Sequence, residues 1–131
     1  MNNKINLLSN SFFLVPILLS ILFKTYFMII FLSLAICGSF IYHYHHEKKF
    51  LYVDMIFSFL LMFANIYLCY LSRFRFPYFQ IAIIFVIVAF YFWQKAEKNK
   101  TEKRKYNLYH LLWHLVSTII TIVCMLGYGM N

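Results

Sequence analysis

Apolar residues fall along this chain in five long runs, parted by short polar breaks. The runs lie at roughly 5–23, 26–44, 50–71, 78–93 and 106–128. A helix needs about 20 predominantly apolar residues to cross a bilayer's hydrocarbon core of about 30 Å. The pattern therefore predicts an all-α fold, a polytopic transmembrane bundle of about five helices. The first run is the weakest, because Asn6, Ser9, Asn10 and Ser11 dilute its start. Lys4 ahead of an apolar stretch also fits a signal peptide, but Phe23-Lys24-Thr25-Tyr26 provides no small-x-small cleavage site, so a retained helix is expected. Pro16 is a candidate kink within it. Little more than Lys24 and Thr25 parts the first run from the second, which implies a tight hairpin. Arg73 and Arg75 mark an interface before Pro77, where a new helix would begin. Tyr91 and Trp93 suit an interfacial belt, and the charged stretch 95–105 reads as a solvated loop touching anionic headgroups.

Composition agrees with this pattern. Of 131 residues, 63% are hydrophobic and 12% charged, against roughly 45–50% and 25% in soluble domains. Three Gly and two Pro leave no flexible linker, so a single domain over 1–131 is expected. Twelve Lys and Arg oppose four Asp and Glu, a net charge of +8. The basic residues sit between apolar runs, so topology explains them better than nucleic acid does. On alternate sides of a five-span chain, Lys4, Lys48, Lys49, Lys95, Lys98, Lys100, Lys103, Arg104 and Lys105 oppose Lys24, Arg73 and Arg75. The positive-inside rule then expects a cytosolic N-terminus and a C-terminus outside or in a lumen. Cys37, Cys69 and Cys124 lie within apolar runs without metal-ligand spacing and read as small packing residues.

The informative residues are the polar ones inside the apolar runs, where an ionisable side chain costs on the order of 3 kcal/mol. His110 and His114 are one helical turn apart on one face. Ser39 and His43 share a face of the second helix, and Asp54 lies early in the third, eleven residues after His43. In the five-span topology these residues fall at similar depth on the cytosolic side. Three neutral imidazoles can hold zinc with an open fourth position. Zinc brings the pKa of a bound water to about 7, and a nearby carboxylate and hydroxyl could manage the proton and the developing oxyanion. The residues alone leave a second reading open. His43, His45 and His46 could form a wet interfacial cluster, Asp54 could pair with Lys48 or Lys49, and His110 and His114 could hydrogen-bond between helices.

The motif set Ser39-xxx-His43, Asp54 and His110-xxx-His114 resembles that of the CREST superfamily of membrane hydrolases, which includes alkaline ceramidases, progestin and adipoQ receptors and the myomaker relatives. The resemblance covers the second, third and last helices. It implies that His43, His110 and His114 bind Zn2+, and that Asp54 and Ser39 position the attacking water. The expected activity is hydrolysis of a lipid amide or ester on the cytosolic side of the membrane. This chain departs from the family in size, with room for about five helices rather than seven. One helix instead of three separates the Asp helix from the His-pair helix, which preserves their relative orientation but removes part of a lipid cavity's wall. Two alternatives follow: a non-catalytic receptor-like or membrane-remodelling relative that keeps a structural zinc site, and, less favoured, a haem-binding membrane protein. The expected partner is a membrane lipid, with no nucleic acid, and homo-oligomerisation could complete the cavity.

Overall fold

The computed structural model describes Lys4 and residues 8–130. Ile5, Asn6 and Leu7, which begin the first apolar run, lie outside the described residues. The described chain is helical with no strand. A 3-10 turn, Asn10–Phe13, leads into α1, Leu14–Leu22; then follow α2, Tyr26–His45, α3, Lys48–Leu71, α4, Tyr78–Lys98, and α5, Lys103–Gly129. Helices α2 to α5 are each long and apolar enough to cross a membrane. Side chains such as Ile30, Phe63, Ile66, Ile84, Ile87 and Phe90 point outward, as lipid-facing residues do in a bilayer protein. The described part of α1 is shorter than a span.

Pro16 acts near the start of α1 rather than in its middle. It has no N–H to give to the preceding turn, and the chain there takes the tighter 3-10 form before settling into α-helix. Of the polar residues that dilute the first run, Ser9 and Asn10 are buried, Ser11 is exposed, and Asn6 lies outside the described residues. The expected tight hairpin after α1 is present. Lys24 adopts a left-handed conformation (φ 58°), and the Thr25 N–H returns to the Ser20 carbonyl at 2.9 Å. A second left-handed residue, His46, ends α2, its N–H bonded to the Tyr42 carbonyl at 2.8 Å.

The charged stretch 95–105 is not a loop. Helix α4 continues to Lys98 and α5 begins at Lys103, leaving only residues 99–102 between them. Gln, Lys, Ala and Glu are good helix formers outside lipid as well as within it. Pairs spaced i, i+3 add local support: Lys100 to Glu97 at 2.6 Å and Lys105 to Glu102 at 3.0 Å.

The bundle is built from two hairpins, α2–α3 and α4–α5, joined along an α3–α5 seam and flanked by α1. Met28, Leu32, Leu61, Leu68 and Met125 fill the core. Buried Ala82, Ala89 and Ala96, spaced seven apart on α4, let it lie close to α5. At the far end of that hairpin, a Cβ on Gly127 would meet the Tyr78 Cβ at 3.0 Å.

A candidate metal centre

Two registers bring the site together. Helices α3 and α5 run parallel. Asn65 Nδ2 donates to Thr121 Oγ1 at 3.0 Å, and eleven residues back along each helix stand Asp54 and His110. Helices α2 and α3 run antiparallel, with Phe27 against Tyr67 at 5.7 Å at one end. At the other end Gly38 faces Asp54 so closely that an added Cβ would meet the Asp54 Cα at 3.2 Å and Phe57 Cδ2 at 2.8 Å. A glycine is needed there for the helices to approach, and the next residue on α2 is Ser39.

His43, His110 and His114 converge at this end. The Nε2 atoms of His43 and His110 are 2.8 Å apart, those of His110 and His114 2.9 Å, and one ligand nitrogen from each lies within 4.8 Å of the others. All five residues singled out in the sequence are buried: His43 is 1% exposed, Ser39 2%, Asp54 4%, and His110 and His114 5% each. A wet interfacial cluster is therefore not what forms. His45 and His46 remain exposed. Lys49 pairs with Glu47 at 3.0 Å, and no ion pair to Asp54 is found among the described residues.

The chemistry of the donor set favours a cation. A neutral imidazole nitrogen carries either one N–H or one lone pair in the ring plane. His110 Nε2 stands within hydrogen-bond distance of two other Nε2 atoms and can serve only one of them well. An ion at the meeting point accepts all three lone pairs at once. Nitrogens held at about 2.0–2.1 Å by one tetrahedral ion stand about 3.4 Å apart, so the two close pairs would open by about half an ångström and the His43–His114 pair, within 4.8 Å, would draw together. These three buried histidines could hold a metal ion.

Neighbouring side chains shape the cluster. Phe13, on the 3-10 turn, meets His114 edge-on with centroids 5.9 Å apart. The Tyr106 ring stacks on His110 at 5.5 Å, and its hydroxyl hydrogen-bonds with that of Tyr42. Tyr106 thus packs directly against the histidine cluster. Sequence reasoning missed both tyrosines. Tyr106 was detectable in principle, since it extends the His110-xxx-His114 face one turn earlier. Ser39 Oγ and His114 Nδ1 are buried without a hydrogen-bond partner among the described residues. With a metal on Nε2 the imidazole proton sits on Nδ1, and an unpartnered hydroxyl is free to bond whatever enters the site.

The chain matches no family model, no curated protein and no solved structure. The case for its function therefore rests on the residues and their geometry.

Proposed function

We propose that the chain is a zinc-dependent membrane hydrolase, similar to the CREST superfamily, that cleaves an amide or ester bond in a lipid on the cytosolic side of the membrane. The observation that carries this reading is the convergence of three buried Nε2 atoms from two helices. Three histidines leave a fourth position open, as catalytic zinc sites do. Zinc, when bound, supplies a Lewis acid that polarises a carbonyl and makes water acidic enough to ionise near neutral pH. The chain's own residues would do the rest. Asp54 would take the water's proton on its carboxylate and return it to the leaving nitrogen or oxygen. Ser39 Oγ, with no partner of its own, would donate to the developing oxyanion. Tyr106 would help orient His110 through its ring.

A second reading, a non-catalytic relative with structural zinc, draws on a different observation. The histidines are closed off from solvent, and a cavity of about 430 Å3 lies at the other end of the bundle, lined by Leu22, Phe23, Lys24, Tyr128 and Gly129. Haem ligation is disfavoured. Axial nitrogens must stand on opposite faces of a porphyrin, and Nε2 atoms 2.8 and 2.9 Å apart leave no room for the ring.

The test is metal analysis of the protein purified in detergent, paired with turnover of ceramides and ester lipids in mixed micelles. Near-stoichiometric zinc, with turnover lost on chelation and in Asp54→Asn, is expected. Absence of zinc sinks the proposal, and zinc without turnover of either lipid class selects the non-catalytic reading.

A further inference from the structure

The cysteines read from sequence as packing residues are not equivalent in the fold. Cys37 is exposed on α2, whereas Cys69 and Cys124 are buried with their Sγ atoms 3.4 Å apart across the α3–α5 seam. This contact lies one turn beyond the Asn65–Thr121 hydrogen bond, at the end of the bundle away from the histidines. Cys69 is in the last turn of α3, and Ser72, which caps that helix, donates its hydroxyl to the Cys69 carbonyl at 2.9 Å. The pair therefore sits at the depth of the helix ends, where a polar reagent need not cross the hydrocarbon core.

We propose that Cys69 and Cys124 form a dithiol that closes to an interhelical disulfide when it meets an oxidant of the disulfide class. One cysteine, as its thiolate, attacks a sulfur of a small disulfide and expels one small thiol, leaving a mixed disulfide on the protein. The second cysteine, as its thiolate, attacks the protein sulfur of that mixed disulfide and expels the second small thiol. The two protons lost by the cysteines end on the two released thiols, and the oxidant takes up two electrons. The protein sulfurs must close from 3.4 Å to about 2.05 Å. The bond would join the helix that carries Asp54 to the one that carries His110 and His114. If the N-terminus is cytosolic, this end faces the compartment in which disulfides persist.

The test uses the full chain in detergent, reduced and then treated with glutathione disulfide. It is next denatured, alkylated with iodoacetamide and mapped by mass spectrometry. The expected result is loss of two alkylatable thiols, a Cys69–Cys124 linked peptide, and Cys37 not joined to either. Linkage should raise the melting temperature, and Cys69→Ala should abolish both the linked peptide and that rise. The proposal is overturned if Cys69 and Cys124 stay alkylatable while Cys37 reacts, if they stop at mixed disulfides, or if the link forms only when oxidant is added to unfolded protein. A linked peptide reports neither metal nor turnover, so this result is independent of the proposed hydrolase function.

Discussion

His110 is the residue on which the site turns, because its Nε2 touches both of the other two. His110→Ala is expected to reduce bound metal from near unity to a small fraction of the chain concentration, read by elemental analysis of purified protein. Tyr106→Phe keeps the ring on His110 and removes the hydroxyl that bonds that of Tyr42. Loss of a hydrogen bond behind the ligand shell typically costs 10–100-fold in affinity or activity. Turnover by Tyr106→Phe should fall by about that much while metal remains bound; unchanged turnover would remove Tyr106 from the mechanism. The histidines, Ser39 and Asp54 were legible in the sequence because polar residues inside apolar runs are costly and stand out. Tyr42 was not, because among eleven tyrosines an aromatic ring in an apolar run carries no mark of its own, and Tyr106 was marked only by its spacing on the His110-xxx-His114 face. Gly38 was likewise silent. Its importance lies in what stands opposite it, Asp54 and Phe57. Gly38→Ala should destabilise by about 1–3 kcal/mol through overpacking, measured by denaturant or thermal unfolding in detergent.

At the scale of elements, hydrophobic runs located each helix and misplaced several ends. Hydropathy measures what can sit in lipid, whereas a helix ends where its backbone hydrogen bonds run out. Hence α4 and α5 extend through residues that were read as loop, and Pro16 sits just past a switch of helix type. The buried stripe Ala82, Ala89 and Ala96 is an element-scale feature, since its purpose is to bring α4 against α5. Ala89→Leu should cost about 1–3 kcal/mol and weaken the α4–α5 hairpin while leaving metal content unchanged, because the histidines depend on α2 and α5. A parallel loss of metal and stability in that variant would argue against such separation. On the α3–α5 seam, Asn65→Ala should cost about 0.6 kcal/mol and at most about 2, as interhelical hydrogen bonds in membranes do.

For the whole molecule, the charge asymmetry supports an orientation with residues 46–47 and 99–102 in the cytosol and residues 72–77 on the other side. With the native cysteines replaced by Ala, Asn99→Cys should react with an impermeant maleimide only after the cells are opened. Arg73→Cys should react in intact cells or sealed right-side-out vesicles. The reverse pattern would move the histidines to the opposite face and remove the proposed access from the cytosol. The sequence by itself determined the class of fold, the positions of the four long apolar helices, and the end of the bundle to which the rare polar residues belong. Those properties follow from local hydrophobicity and from parity of crossings, both of which are additive along the chain. Only the tertiary structure decided that three particular nitrogens meet and that the Tyr106 ring stacks on His110. It also decided that two cysteines 55 residues apart touch while the third does not. Such contacts depend on helix rotation and register, which are set by close packing at positions such as Gly38 and Ala89, and no single run of residues encodes them.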